Sequence, residues 1–290
     1  MSEAYEIKRI FKEQGLAPKK WMGQNLLADK IYLNRIVRSA DLRSGDCVVE
    51  VGAGLGVLTE ALVKQGARVW ALEIDSGFFR SLQEKFGESD NPILIHADAL
   101  KFDFSGLAKK IGKLRVVANL PYNISSRLIF SFHENREIFS TLDVLLQKEV
   151  AERLIAAPGT KEYGTLTVLL GVSATVEILF DIPPKAFVPA PEVTSSLVHI
   201  TFPDTPPVEV SDSRLLTRLV KASFAGRRKT LRNTLRKAPI DGLTEQILTT
   251  AANQADIDLG RRGETLAPAE FARFADVISA NILTGVANTG

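Results

Sequence analysis

The sequence predicts an α/β protein: an open, mostly parallel sheet with an antiparallel strand pair at one edge, followed by a small all-helical domain. Short apolar segments alternate with longer helix-like segments through the first half of the chain, the pattern of a parallel sheet covered on both faces. Two strand-like runs, 175–181 and 196–202, then follow with only a proline-rich loop between them, which favours an antiparallel pair. A linker at 203–207 precedes segments with helical patterns alone. We therefore expect two domains, 1–204 and 208–290.

The strand and helix segments follow one another in a regular order. The predicted strands of the parallel part are 46–51, 67–74, 92–96, 114–118 and 142–146. The predicted helices beside them are 58–64, 78–86 and 148–156, and those after the linker are 213–224, 229–236, 243–253 and 268–283. In an open parallel sheet the carboxyl ends of neighbouring strands line one crevice, so residues that end these strands are the first candidates for a binding site.

Composition sets the class of protein. The chain has 290 residues, of which 45% are hydrophobic and 24% charged, the balance of a globular protein with a full core. No apolar run approaches the ~20 residues of a membrane span, and the first residues lack the apolar centre of an export signal. The single cysteine, Cys47, excludes a disulfide within one chain. We expect a cytoplasmic protein.

The net charge of the chain is small, but many of its basic residues are concentrated in one segment. The formal net charge is only +2, yet one segment of the C-terminal half contains a single acid, Asp212, among many bases. A solvated helix face is the alternative reading, but a cluster of this density favours a phosphate-binding surface. Arg228, Arg232 and Arg236 follow one another at four-residue intervals, which predicts that they form one stripe on a helix. The basic residues are Arg214, Arg218, Lys221, Arg227, Arg228, Lys229, Arg232, Arg236 and Lys237.

A glycine-rich loop, 50–56, joins the first predicted strand of the sheet to a helix. Its third glycine is Gly56, whereas the dinucleotide-binding spacing requires a glycine one position later, which argues against a pyrophosphate loop of the NAD type. Gly52 and Gly54 still allow a ligand to approach the backbone closely. Glu50 would repel a pyrophosphate but suits a cationic amino group, so S-adenosyl-L-methionine is the expected ligand. A tight strand-to-helix turn without a ligand is the alternative.

Three further polar residues end the strands that follow. Glu73 lies about 20 residues after the loop, the offset at which an acid takes a ribose diol. Asp98 follows the next strand and could accept from an adenine amino group, and Asn119 ends the strand after that. One such residue is often a helix cap, but a polar acceptor at each successive strand end favours a single shared ligand site.

The segment Asn119-Leu120-Pro121-Tyr122 carries the chemistry. The amino nitrogen of adenine is a poor nucleophile because its lone pair is delocalised into the ring. The Asn119 side-chain oxygen and the Leu120 carbonyl can accept its two hydrogens and free the lone pair, while Pro121 fixes the backbone. Tyr122 can stack on the base, and Phe187 is the candidate for the opposite face. Both aromatic rings could instead be core residues.

Together these segments resemble the class I, Rossmann-like S-adenosylmethionine-dependent methyltransferases, and among them the rRNA adenine-N6 dimethyltransferases of the bacterial small-subunit type. The resemblance covers nearly the whole chain in order. One departure is Leu26, where the family usually has phenylalanine. The matching segments are 20–27, 50–56, 73–75, 98–100, 119–124, 147–153, 187–195 and 261–266.

The resemblance implies a set of roles. The expected substrate is a pair of adjacent adenines in the 3′-terminal hairpin loop of 16S rRNA, within the immature small ribosomal subunit, and the expected enzyme is a monomer without a metal. The cofactor contacts that the resemblance implies are Gln24, Asn25, Leu27, Gly52, Glu73, Asp98 and Asn119. The chemistry of the glycine loop adds Glu50 and Gly54. From the charge cluster, the expected RNA contacts are Arg227, Arg228, Lys229, Arg232 and Arg236.

Two other functions stay open at this point. One is the related large-subunit rRNA adenine methylase of the macrolide-resistance type, against which the developed C-terminal segment argues. The other is an assembly factor of the small subunit whose binding matters more than its catalysis. A DNA adenine methylase is disfavoured, because such enzymes usually carry proline where Leu120 stands. The three histidines are scattered and show no metal-ligand spacing.

Overall fold

The structure is a computed structural model that describes residues 3–18, 23–87, 89–226 and 228–287, with side chains described as far as residue 284. The chain forms two compact units that interleave along the sequence. The first extends to Ala151 and takes up Glu177–Phe202 again later, and the second consists of Glu152–Val176 and the chain from Pro203 onward. No described helix is both long enough and apolar enough to cross a membrane.

The described residues form nine strands: β1 Leu26–Leu27, β2 Cys47–Val51, β3 Arg68–Glu73, β4 Ile93–His96, β5 Leu114–Asn119, β6 Phe139–Gln147, β7 Thr175–Ile182, β8 Phe187–Val188 and β9 Ser195–Thr201. Seven of them form a sheet in the order β4-β3-β2-β5-β6-β9-β7, and a two-stranded sheet pairs β1 with β8. The five strands from β4 to β6 in the sheet order are parallel to one another, and β9 pairs with β6 in the antiparallel direction. The predicted fold class is confirmed.

Helices cover the sheet. Strands β2, β3 and β5 are buried almost throughout, which is why their sequences are continuous apolar runs instead of alternating ones. Asp75 caps α4, since its carboxylate accepts from the backbone N–H groups of Gly77 and Phe78 at 2.9 and 3.1 Å. The helices of the first unit are α1 Glu3–Glu13, α2 Lys30–Ser39, α3 Val57–Lys64, α4 Ser76–Phe86, α5 Phe104–Ile111, α6 Ser125–Glu134 and α7 Lys148–Leu154, the last of which crosses the boundary between the units.

The second unit is helical and includes a segment that lies before the linker in sequence. Helix α8 (Thr165–Ser173) packs on α9 (Ser213–Ser223) and α12 (Pro268–Ala287), and six of its nine residues are buried. Close packing explains Gly171, where a Cβ would lie 2.8 Å from the Pro268 ring. The Tyr163 hydroxyl donates to the Leu266 carbonyl at 2.8 Å. The helices are α8 Thr165–Ser173, α9 Ser213–Ser223, α10 Leu231–Leu235, α11 Glu245–Gln254 and α12 Pro268–Ala287.

Several elements were not predicted from the sequence. Strand β1 has two residues and gains its partner from β8, far along the chain, so it carries no local periodicity. Helix α8 has no charged residue and therefore lacks the strongly polar face by which an amphipathic helix is recognised. Helix α10 is shorter than the predicted 229–236, so Arg228 and Arg236 lie outside it and the predicted arginine stripe is not helical.

Candidate active site

A cavity of about 450 Å³ opens at the carboxyl ends of β2, β3 and β5. Its wall contains the polar residues that end these strands and the glycine loop between β2 and α3. A segment that precedes β1 closes one side. The residues named from the sequence that line this cavity are Gln24, Asn25, Gly52, Gly54, Glu73, Asp98, Asn119 and Leu120.

The glycine loop is shaped by close contacts on both sides. Gly52 and Gly54 have φ angles of 77° and 57°, a region that side chains disfavour. A Cβ on Gly54 would lie 2.6 Å from a methyl carbon of Leu26, and one on Gly52 would lie 3.4 Å from the Pro121 ring. The loop therefore contacts both β1 and the Asn119–Tyr122 segment, which places the three sequence motifs around one space.

Glu73 holds the loop as well as lining the cavity. It is 4% exposed, and its two carboxylate oxygens accept from the backbone N–H groups of Gly54 and Asp75, each at 2.8 Å. Burial raises the pKa of Glu73, while the two N–H donors act in the opposite direction. Each oxygen keeps a further lone pair with which it could accept from a hydroxyl group.

Asp98 lies two residues after β4 and lines the cavity. Its carboxylate accepts from the Leu100 backbone N–H at 3.0 Å, which fixes the turn. Ile74 and Leu100 line the same cavity, so its wall combines this carboxylate with apolar side chains. Such a combination suits a flat heteroaromatic ring that carries an amino group.

The amide of Asn119 has a defined orientation. Its side-chain nitrogen donates to the Asn25 backbone carbonyl at 2.6 Å, a contact between β5 and the segment before β1. Because the nitrogen is committed to this bond, the Asn119 side-chain oxygen remains as the acceptor on the opposite side of the amide. The Asn25 side chain in turn donates to the Gly23 carbonyl at 3.3 Å.

The hydroxyl of Tyr122 is anchored on strand β9. Tyr122 is outside the residues that line the cavity, and its hydroxyl is hydrogen-bonded to the side-chain hydroxyl of Ser195, on β9. Burial raises the pKa of the Tyr122 hydroxyl, so the phenol stays neutral. Its backbone packs against Gly23, where a Cβ would lie 2.9 Å from the Tyr122 nitrogen.

Phe187 and Leu27 lie together in the core. They are cross-strand partners in the β1–β8 pair, and their exposed fractions are 2% and 5%. Both belong to a buried cluster with Leu33, Ile182 and Leu197, and neither lines the cavity. The stacking role assigned to Phe187 stays a prediction.

Glu50 is also outside the main cavity. Its carboxylate is completely enclosed and accepts from the Thr59 hydroxyl at 2.5 Å. Burial raises the pKa of Glu50 to about 8, so the side chain is mostly protonated at neutral pH. The contact with a cofactor amino group that the sequence suggested stays a prediction.

Several lining residues were missed by sequence reasoning. Ile74 and Leu100 follow Glu73 and Asp98 closely, so their place beside those acids could have been inferred from the strand ends. Lys101 and Arg127 are exposed cations that line the same cavity, and neither lies in a basic cluster that would have drawn attention to it. The other missed lining residues include Leu26, Phe78, Asn123 and Ile124.

The basic segment of the second unit is only partly available for anions. Arg228 and Lys229 are exposed, whereas Arg227 lies outside the described residues. Arg232 and Arg236 both pair with Glu245, the first residue of α11, with 3.2 Å between the Arg236 and Glu245 side chains. Sequence reasoning could not foresee this acid. Among the described residues, no group of three or more His, Cys, Asp or Glu side chains could hold a metal ion.

Comparison with known proteins gives consistent results. A family described as ribosomal RNA adenine dimethylase matches residues 16–277. Two proteins called ribosomal RNA small subunit methyltransferase A are similar to this chain. The one from Magnetococcus marinus is 41% identical over 95% of this chain and 97% of its own length, and the one from Hahella chejuensis is 43% identical over 91% and 94%.

Two solved structures are similar as well. A dimethyladenosine transferase from Plasmodium falciparum superposes with a TM-score of 0.69 at 25% identity, covering 86% of this chain and 95% of that one. The 23S rRNA methyltransferase ErmE gives a TM-score of 0.63 at 25% identity, covering 88% of this chain and 100% of that one. With the family match spanning most of the sequence, this chain belongs to the ribosomal RNA adenine dimethylase family.

Proposed function

We propose that this protein transfers methyl groups from S-adenosyl-L-methionine to the N6 amino groups of two adjacent adenines in the 3′-terminal hairpin loop of 16S rRNA. One observation carries the proposal: the Asn119 amide, fixed by its bond to Asn25, lines a cavity together with Glu73 and Asp98. The similarity to proteins called ribosomal RNA small subunit methyltransferase A supports the choice of RNA.

The cavity fits S-adenosyl-L-methionine in its donor and acceptor groups. The buried Glu73 carboxylate could accept from a ribose diol, and Asp98, flanked by apolar walls, could accept from the adenine amino group. The backbone at Gly52 and Gly54 is open to a close-lying amino-acid portion, near Gln24 and Asn25. When bound, the cofactor supplies an electrophilic methyl group on a sulfonium ion.

The chain activates the adenine by hydrogen bonding. The Asn119 side-chain oxygen and the Leu120 backbone carbonyl accept the two hydrogens of the amino group, which draws the nitrogen toward a tetrahedral form and localises its lone pair. Pro121, whose ring packs on Gly52, fixes the backbone between these groups. The acceleration of methyl transfer then comes mainly from holding the amino nitrogen in line with the methyl group. The methylated nitrogen is acidic and releases its proton to water, so no strong general base is required.

Two acceptors also serve the second methylation. After the first transfer the nitrogen keeps one hydrogen, and one hydrogen bond, to Asn119 or to Leu120, remains available to orient it. Tyr122 provides an aromatic face against which the base can stack, because its hydroxyl is anchored on β9. We assign base contact to Tyr122 and, from the sequence pattern alone, to Phe187.

RNA binding is assigned to the basic segment of the second unit. Arg228 and Lys229 are exposed, and contacts of this kind to phosphates position a nucleic acid without reading its sequence. Such a site suits a substrate that the ribosomal particle presents in a fixed place. We further propose that the protein acts as a monomer on the immature small subunit, in the cytoplasm.

A second candidate is the methylation of large-subunit rRNA, which the similarity to ErmE favours. The test offers methyl-labelled cofactor with three substrates: immature small subunits, protein-free large-subunit rRNA and duplex DNA. We expect label in the 16S rRNA of the first substrate. Label in large-subunit rRNA alone would favour the second candidate, and binding to small subunits without label would leave an assembly role only.

A further inference from the structure

Two motifs of the sequence, 147–153 and 187–195, meet next to the residue that is bonded to Tyr122. Gln147 and Ser195 are the last antiparallel partners of the β6–β9 ladder. Next to them, the Lys148 backbone N–H donates to the Thr194 carbonyl at 2.9 Å. This junction fixes the backbone at Ser195, whose side-chain hydroxyl is bonded to the Tyr122 hydroxyl.

Ser195 has no accessible surface. Its relative exposure is 0%, so its hydroxyl cannot be satisfied by bulk solvent, and the described structure gives it one side-chain partner, Tyr122. The two residues are 73 positions apart in sequence, so the bond is a tertiary contact and not part of a local turn. Tyr122 directly follows the Asn119-Leu120-Pro121 segment that activates the amino group.

The bond restricts the ring of Tyr122. Anchoring the oxygen at the far end of the ring restrains the first side-chain torsion of Tyr122. The oxygen lies on the axis of the second torsion, and this torsion is restrained because a phenol prefers hydrogen bonds that lie in the plane of its ring. An aromatic face of fixed orientation loses less entropy when a base stacks on it than a freely turning ring does. The neighbouring serine, Ser196, is equally buried but donates to the Asp181 carboxylate at 2.7 Å, so it does not contact Tyr122.

We propose that Ser195 is a positioning residue for methyl transfer, because its hydroxyl holds the Tyr122 ring in the orientation in which it contacts the target adenine. The proposal rests on the proposed function in one respect, the role of Tyr122 as a base contact. It assigns the 187–195 motif a purpose: the motif carries the anchor of the aromatic residue that the 119–124 motif supplies.

The test compares Ser195→Ala, Tyr122→Phe, their double variant, Tyr122→Ala and the control Ser196→Ala. Each single change at the hydroxyl pair should lower kcat/KM for the RNA substrate by about two- to tenfold, the equivalent of one neutral hydrogen bond. The double variant should be no worse than either single variant, since both remove the same bond. Tyr122→Ala should have a larger effect, and Ser196→Ala should keep wild-type kcat/KM.

Two further readouts separate positioning from general stability. S-adenosyl-L-methionine affinity, measured by calorimetry, should be unchanged in Ser195→Ala, because Ser195 does not line the cavity. If Ser195→Ala fails to fold, Tyr122→Phe still removes the bond without changing the buried serine. Additive effects in the double variant, or wild-type kcat/KM in both single variants, would overturn the positioning role. Wild-type activity of Tyr122→Ala would overturn the base contact itself.

Discussion

The side-chain nitrogen of Asn119 lies 2.6 Å from the backbone oxygen of Asn25, and this contact decides which face of the amide is free. An aspartate at position 119 would place a carboxylate oxygen against that carbonyl and remove the donor. We therefore expect Asn119→Asp to lower methyl transfer on the order of 100-fold, as when one preorganised polar group is removed from an active site. Single-turnover kinetics with saturating RNA measure the effect.

Thermal unfolding of Asn119→Asp provides the control, since the variant must be folded at the assay temperature. RNA affinity should be close to wild type, because the expected phosphate contacts lie in the second unit. Wild-type dimethylation by this variant would contradict the role of the neutral amide.

Glu73 is expected to bind the ribose diol while it holds the glycine loop. Glu73→Gln keeps the size of the side chain but replaces one acceptor oxygen by a donor, which would face a backbone N–H of Gly54 or Asp75. We expect weaker S-adenosyl-L-methionine binding by about 1.5–3 kcal/mol, the range for a charge-assisted hydrogen bond. Calorimetry measures it.

The matched control is Asp103→Asn, which changes a carboxylate that caps α5 by accepting from Gly106 at 2.8 Å and does not line the cavity. Equal affinity of Glu73→Gln and Asp103→Asn for S-adenosyl-L-methionine would contradict the assignment of Glu73 to the cofactor site.

Glu50 makes stability depend on pH. Its pKa is about 8 in the folded protein, chiefly because of burial, against an ordinary value of 4.5. Between these values the folded state holds a proton that the unfolded state has released, so stability falls as pH rises from about 4.5 to about 8. Glu50→Gln removes this dependence and can still accept from Thr59. We expect the variant to unfold at a higher temperature than wild type at pH 8, with the difference shrinking toward pH 5.

A constant difference across that pH range would show that Glu50 is ionised in the folded protein. The same variant tests the predicted cofactor contact, because weakened binding of S-adenosyl-L-methionine to a folded Glu50→Gln protein would support it.

The basic segment should contribute unequally to RNA binding. Arg228 and Lys229 are exposed, whereas Arg232 and Arg236 already pair with Glu245 and must exchange that partner for a phosphate. We expect replacement of Arg228 and Lys229 by alanine to weaken RNA binding and to lower the salt slope by about 1 for each phosphate that the variant no longer neutralises. Replacement of Arg232 and Arg236 should have a smaller effect.

Binding isotherms over a range of salt concentrations decide this point. The charge-matched control replaces Lys109 and Lys110, at the end of α5 in the first unit. If the salt dependence of RNA binding is the same for wild type and for the Arg228 and Lys229 double variant, these residues do not bind phosphates and form only a solvated surface.

The central sheet was predictable from the sequence because strands β2, β3 and β5 are buried on both faces, and burial leaves an unbroken apolar run such as Cys47–Val51. The sequence also pointed to Glu73, Asp98 and Asn119, since the ends of parallel strands share one edge, and the structure brings these three to one cavity. The sequence did not predict the direction in which each side chain points. Glu50 and Phe187 look like ligand contacts in sequence, yet both are buried outside the cavity wall.

Contacts between residues that are far apart in the sequence could not be predicted either. The contacts of Asn119 with Asn25, and of Arg232 with Glu245, join segments whose separation carries no periodic signal. Helix α8 shows a similar limit, because a mostly buried segment without charged residues has no strongly polar face to mark it as a helix.

The most direct test of the central claim is mass spectrometry of oligonucleotides from the 16S rRNA of immature small subunits incubated with this protein and methyl-labelled S-adenosyl-L-methionine. We expect two labelled methyl groups on each of two adjacent adenines in the 3′-terminal hairpin loop, and none with Asn119→Ala. Label confined to other nucleotides, or equal label with Asn119→Ala, would contradict the account.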